Sequence, residues 1–465
     1  MSKIDEYLQQ QAETFQQQLC DLLRIASVST DSQFAGEVRR AGQWVADHFA
    51  GIGLKTELVE TGTHPIVFAE SPPVEGAPTV LVYGHYDVQP PDPLDEWITP
   101  PFEPTIRNGN VYARGATDDK GQMLTHVLSA GAWQQVEGRL PVQLKFLIEG
   151  EEECGGEALH KMLGGGLDAP RGPKWLDRLA CDVVVISDTS QFGPGQPAVT
   201  YGLRGIAYFE LRLTGPKQDL HSGTFGGGVM NPINALAKML AALVDDQGRI
   251  QVPGFYDDVR ELTAQERKQL AELSFDEANF MRQIGVEAVG GEAGFTTLER
   301  RWARPTCDIN GVWGGYQKEG AKTVLPAKAA AKFSFRLVPD QDPQKIAKSL
   351  RAMLEKLCPS GIKMEFIDVH GAPGFVAPLD SPYMAAAADA IEHGFGTRPV
   401  MIREGGSIPV VTDFHHKLGA DVLLLGWGLD DDNTHSPNEK FHLADFHRGI
   451  KASAKLWQTL SEIKK

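Results

Sequence analysis

Four short apolar runs constrain this chain most: TVLVY (79–83), QLKFLI (143–148), CDVVVIS (181–187) and DVLLLGW (421–427). Each is rich in Val, Ile and Leu and lacks the polar alternation of a half-exposed strand, so the four read as strands buried on both faces. A sheet buried on both faces needs helices over it, and helical patterns lie between the runs. VRRAGQWVADHFAGIG (38–53) spaces Val38, Val45, Phe49 and Ile52 for one face, and GQMLTHVLSAGAWQQV (121–136) follows an Asp118–Asp119 pair suited to capping. The expected class is α/β, a mixed and mostly parallel sheet covered by helices.

The middle of the chain reads differently. GIAYFELRLTG (205–215) and AKFSFRLVP (331–339) alternate apolar and polar residues, as half-exposed antiparallel strands do. Between them Asn231 stands as a helix N-cap, Pro232 at the first helical position, and Ile233, Leu236, Ala237 and Leu240 at helical spacing. With 465 residues the chain exceeds a single core. The expected organisation is one α/β domain made of residues 1–199 and 376–465, with an α+β domain inserted over 200–375.

Composition narrows the partners. The 61 acidic against 45 basic residues give a net charge of -16, which opposes attraction to phosphate backbones, so no nucleic-acid partner is expected. No apolar run approaches the roughly 18 residues of a membrane span, and the polar N-terminus lacks a signal-peptide pattern. The five cysteines show no paired spacing and read as reduced thiols. A cytoplasmic protein without a membrane partner is expected.

The ends of the apolar runs carry the chemistry. The first leads straight into His85 and Asp87, the second into EGEEECGG (149–156), the third into Asp188, and the fourth reaches His435 within ten residues. In open α/β sheets ligands sit outside the carboxyl ends of the strands, so these groups are aimed at one rim. Asp118 and Asp119, just before a helix, add two carboxylates. Singly, each has an ordinary reading: a solvated acidic turn, a helix cap, a hydrogen-bonded histidine. Together, two His and three or more carboxylates without a thiolate match the N/O ligand set of zinc, and a shared carboxylate lets two metals sit about 3.5–4 Å apart. The glutamate run offers a metal ligand and a general base at adjacent positions.

GHYDVQP, RGATDDKG, EGEEECGG, VISD, YGLRGIAYFELRL, HSGTFGG, REGGSIPV and HSPNEK resemble, in the same order, the motifs of the di-zinc exopeptidase family that includes carnosinase, cytosolic non-specific dipeptidase, glutamate carboxypeptidase and aminoacylase. The match runs from about residue 80 to 440 and is most similar to the dipeptidase branch. The resemblance implies two Zn2+ ions per subunit, with Mn2+ or Co2+ as alternatives. His85 and Asp188 would hold one ion, Glu153 and His435 the other, and Asp118 would bridge them with a cis peptide to Asp119. Asp87 would orient His85, and Glu152 would be the general base; because Glu151–Glu152 is also a consecutive pair, a frame one residue earlier stays open.

The inserted domain resembles the family's lid and dimerisation domain. His221 would enter the neighbouring subunit's site and hold the oxyanion, and Arg336 would bind the substrate carboxylate. Asn310, Thr323 and the loop Gly405–Gly406–Ser407 would add substrate contacts. Arg204 could serve there or in an ion pair at the domain boundary. The implied activity is hydrolysis of dipeptides or short peptides by a homodimer. The competing readings are an N-acyl-amino-acid deacylase on the same scaffold, a non-catalytic zinc-binding relative, and a metal-free two-carboxylate glycosidase.

Overall fold

The computed structural model of the chain describes residues 2–164, 174–406 and 408–464. It divides into two compact units: one comprises residues 1–201, 377–402 and 413–465, the other 202–376 and 403–412.

The first unit is built on a mixed sheet. Its centre is parallel: Thr79–His85 lies between Gln143–Glu149 and Val183–Ser190, and Asp421–Gly428 continues the parallel order on the far side of Val183–Ser190. Antiparallel strands finish it. Ile66–Glu70 pairs with Gln143–Glu149 and Lys55–Val59 with Ile66–Glu70, while residues 198–200 run against 424–426. The central strands are buried on both faces, with Val80, Leu81, Val82, Leu147, Val184 and Leu424 all closed to solvent. This is the expected α/β class, and the antiparallel edge strands add to the four runs that the sequence displays.

Helices Ala35–Gly51, Lys120–Glu137, Pro382–Phe395 and Leu443–Ser461 pack against these strands. Helix Lys120–Glu137 is buried along its first thirteen residues, all round rather than on one stripe. Two glycines allow the close approach of its N-terminus. A Cβ on Gly121 would stand 2.0 Å from the Ala116 carbonyl oxygen, and one on Gly84 2.8 Å from the Asp119 carboxylate. The start of this helix, its preceding loop and the strand end at His85 are thereby held in one tight layer.

Asp119 occupies the N-cap position but makes no side-chain cap bond. Its carboxylate is buried and accepts the His85 amide at 3.2 Å. The capping role expected from sequence is therefore not the one taken: the strand amide outcompetes the helix.

The second unit has a four-stranded antiparallel sheet in the order Thr306–Gly314, Lys328–Leu337, Gly205–Thr214, Lys363–Ala372. Phe209, Leu211, Phe333 and Phe335 project into a core shared with helices Pro232–Ala241 and Pro343–Leu357. Asn231 caps the first of these helices, its side chain accepting from Ile233. The face it buries is Ala235, Leu236 and Met239, with Ile233 and Leu240 at the margin and Ala237 exposed, so the apolar stripe is rotated from the expected one. Strand Thr306–Gly314 is an edge, and it carries Ile309, Val312 and Trp313 in the open.

Candidate metal centre

Five segments of the first unit bring their polar ends together. His85 closes its strand, Asp118 precedes helix Lys120–Glu137, Glu153 sits in the short 3-10 turn Glu152–Cys154, Asp188 lies in the third parallel strand, and His435 follows the fourth. His85 Nε2 lies 3.1 Å from Asp118 Oδ1 and 3.9 Å from Asp188 Oδ2. His435 Nε2 lies 2.9 Å from Asp118 Oδ2 and 3.4 Å from Glu153 Oε2. The five side chains form two groups, His85/Asp118/Asp188 and Asp118/Glu153/His435, in each of which the ligand atoms stand within 4.8 Å of one another. Asp118 belongs to both and offers a different oxygen to each.

The local electrostatics follow from burial and crowding. Asp118 has its carboxyl held below the usual range: His435 and His85 outweigh the upward push of burial. Asp188 goes the other way, raised well above the usual range by burial and by Asp118 and Asp119. Against the downward push of burial, the carboxylates of Asp118 and Asp87 lift His85 well above the ordinary imidazole value, and Asp118 and Glu153 push His435 up to about 10. Burial, with Glu153, Asp118 and Asp87 adding to it against His85, pushes Glu152 up to about 7.

The side chains fit a divalent pair. His85 Nε2 is fully buried and has no hydrogen-bond partner of acceptable geometry, although two carboxylates face it. Its Nδ1 lies 3.1 Å from the Asp87 carbonyl oxygen and 3.4 Å from its carboxylate, which holds the ring with Nε2 turned toward Asp118 and Asp188. A cluster of imidazoles and carboxylates with an unused ring nitrogen is a ligand set for a zinc-class ion.

Asp87 also acts through its carboxylate, which accepts the amides of Glu152 at 3.3 Å and Glu153 at 3.1 Å. Gln89 donates to Glu153 Oε2 at 2.8 Å. Glu151 points elsewhere: buried, it accepts the His64 amide at 2.9 Å and the Ala158 amide at 3.2 Å, tying the loop at 64 to the start of helix Glu157–Gly164. Glu149 is buried against the Tyr83 hydroxyl and pushed up to about 8 by its burial.

The remaining residues singled out from sequence belong to the second unit. His221 is exposed, and its Nδ1 accepts the Gly223 amide at 3.0 Å. Thr323 is its neighbour: strand Leu220–His221 pairs with Val324–Leu325, and the Ser222 amide donates to the Thr323 carbonyl. Arg336 is half-buried in the sheet between Thr306 and Ile206, and burial lowers its pKa despite the nearby Asp308. Asn310 is the extra residue at a register shift in the edge strand and is exposed. Arg204 donates to the carbonyls of Gly405 and Arg304. Ser407 lies outside the described residues.

Sequence reasoning passed over Glu439, Gln89 and the task of Glu151. Apart from the Arg114 guanidinium, which donates to Glu439, their partners are backbone groups or the Glu153 carboxylate, which leave no periodicity in the sequence. The only signal for Glu439 is its place in HSPNEK.

A family model described as "Peptidase family M20/M25/M40" matches residues 81–459. The chain is 34% identical over 470 residues to the Cys-Gly metallodipeptidase dug1 of Schizosaccharomyces pombe, covering 97% of this chain and 96% of that one. It is 34% identical over 483 residues to the Beta-Ala-His dipeptidase of Homo sapiens, covering 100% and 93%. The crystal structure of human carnosine dipeptidase 1 superposes with a TM-score of 0.85 at 34% identity over 99% of this chain and 98% of that one. An M20 family metallo-carboxypeptidase from Sulfolobus solfataricus does so with 0.85 at 31% over 97% and 99%.

Proposed function

The chain belongs to peptidase family M20/M25/M40, and from that premise we propose that it hydrolyses the peptide bond of dipeptides with a pair of divalent metal ions. The observation that carries this reading is Asp118, whose two oxygens face two separate ligand groups. Asp118 would bridge two ions, one also held by His85 and Asp188, the other by Glu153 and His435; zinc is the ion the donor set suits best.

When bound, such a pair polarises a carbonyl and lowers the pKa of a water to about 7. The other tasks fall to the protein. Glu152 takes the proton from the attacking water and returns it to the leaving amine. Asp87 holds the Glu152–Glu153 backbone and the His85 ring together. The engagement of Glu151 with two amides supports the frame in which Glu152 is base and Glu153 ligand.

In this reading the second unit is a lid and dimerisation element. His221 Nδ1 is spent on an amide, so the proton sits on Nε2, the donor an oxyanion in a neighbouring subunit needs. Arg336 binds the substrate carboxylate, with Asn310, Thr323 and Ser407 as further contacts. An edge strand exposing Ile309, Val312 and Trp313 supports a homodimer formed through this unit. No helix among the described residues is long and apolar enough to cross a membrane. Five free cysteines accord with a reducing compartment, the basis for assigning the protein to the cytoplasm.

The test is a dipeptide panel run against N-acetyl amino acids on metal-quantified protein. Turnover of dipeptides that is abolished by a chelator and restored by zinc supports the reading. Preference for N-acetyl amino acids would transfer the chain to the deacylases, and chelator-insensitive activity would refute the metal mechanism.

A further inference from the structure

Glu439 lies four residues beyond His435 and is fully closed to solvent. Its carboxylate is spent on one loop. Oε1 accepts the amides of Thr117 at 3.0 Å and Asp118 at 3.2 Å, and Oε2 accepts the Gly115 amide at 2.9 Å and Arg114 Nη1 at 2.8 Å. A carboxylate has about four acceptor positions, and all four are taken. The Glu439 carbonyl adds a fifth tie by accepting the Ala113 amide at 3.1 Å.

This arrangement excludes Glu439 as a metal ligand and gives it different work. The segment 113–118 leads into Asp118 with no regular secondary structure of its own beyond Tyr112. Its amides have no ladder to join: those of Gly115, Thr117 and Asp118 go to the carboxylate, while Arg114 donates to the Pro101 carbonyl and Ala116 to the Ala113 carbonyl. Because Glu439 is on the same loop as His435, it also fixes the distance between Asp118 and His435, which are far apart in sequence and 2.9 Å apart in space. That loop is itself set by backbone turns at Asn433, His435 and Asn438, which have φ of 57°, 62° and 62°, and Asn438 pins it further by accepting the Ile98 amide and donating to the Glu96 carbonyl, both at 2.8 Å.

We infer that Glu439 is the positioning residue of the metal centre: its carboxylate organises the 114–118 loop so that Asp118 presents one oxygen to each ligand group. The inference rests on the metal-centre reading above and deepens it. The negative charge and both oxygens are needed. A Gln at 439 would turn an NH2 toward amide donors, and an Asp would fall one methylene short of reaching all four.

The test uses the full-length protein with Glu439→Gln and Glu439→Asp. Zinc affinity is measured by competition with a chromophoric chelator, the visible spectrum is recorded after cobalt substitution, and Tm is followed with and without zinc. The expected result is a loss of about 10–100-fold in zinc affinity, an altered cobalt spectrum, and a smaller rise in Tm on adding zinc. A purely structural role would lower Tm with and without metal by the same amount and leave affinity and spectrum as in wild type; that outcome overturns the inference. If neither variant folds, Glu439 is a determinant of folding and the positioning role is likewise overturned. Should wild-type protein itself take up no zinc, the metal-centre reading falls first, and the two failures are thereby told apart.

Discussion

Replacing Glu152 by Gln separates the proposed base from the scaffold around it. Burial and the adjoining carboxylates push this group from an ordinary 4.5 up to about 7. One unit of pKa corresponds to about 1.4 kcal/mol, so keeping Glu152 ionised costs the metal-free protein at most ~3–4 kcal/mol. Water reaching a part-exposed side chain screens this to about 1–2 kcal/mol. The sign is fixed by linkage: an acid whose folded pKa is raised destabilises fully above that value and not at all below its unfolded value. Gln carries no charge at any pH. Glu152→Gln is therefore expected to be more stable than wild type by about 1–2 kcal/mol at about pH 8, with the advantage shrinking below about 7 and gone near 4.5. Turnover should fall by about 10²–10⁴-fold, the usual worth of a positioned general base, while bound metal stays at the wild-type level. The assays are denaturant unfolding of metal-free protein at the two pH values and dipeptide hydrolysis by metal-loaded protein. Near wild-type turnover would refute the base role; a variant less stable than wild type at the higher pH would refute the electrostatic argument.

The neighbouring Glu151→Gln is expected to behave in the opposite way, losing about 1–3 kcal/mol of stability because one amide donor would face an NH2, with turnover per folded molecule unchanged; a large loss in kcat would shift the frame by one residue. Asp118→Ala should abolish binding of at least one metal, and an unchanged metal count by mass spectrometry would exclude it as the bridge. His85 and His435 are both raised in the metal-free protein and must give up protons to bind, so uptake near neutral pH should release protons and the affinity should climb with pH toward about 10. An indicator dye in weak buffer measures the release, and none at all would contradict these imidazoles as ligands. Mixing His221→Ala protein with Asp118→Ala protein should restore partial activity through heterodimers, and no recovery after confirmed subunit exchange would argue for a site within one chain.

What was legible in the sequence was whatever depends on side chains alone. Val80 to Val82, Val183 to Ile186 and Val422 to Leu424 announce buried strands because both faces of each are apolar. His85, Asp188 and His435 stand out because polar groups end such runs. What was hidden depends on backbone donors. Asp119 abandons the helix cap for a strand amide, Glu151 and Glu439 serve amides from distant loops, and nothing in residue type distinguishes them from solvated acids. The rotated face of helix Pro232–Ala241 was missed for a related reason: with Ala at 235 and 237, hydrophobic spacing alone cannot choose the buried side.

The ligand groups are drawn from segments on both sides of the second unit: His85, Asp118, Glu153 and Asp188 precede it, and His435 follows it. A ribosome must therefore complete the whole insertion before the last ligand exists. The nascent chain can assemble one ligand group, His85 with Asp118 and Asp188, well before the other. If the proposed centre forms, loading of the His435 group would be a late event, since it needs the returning strand docked beside Val183–Ser190. In the proposed metal centre, a full metal complement would thus report that the two stretches of the divided unit have come together.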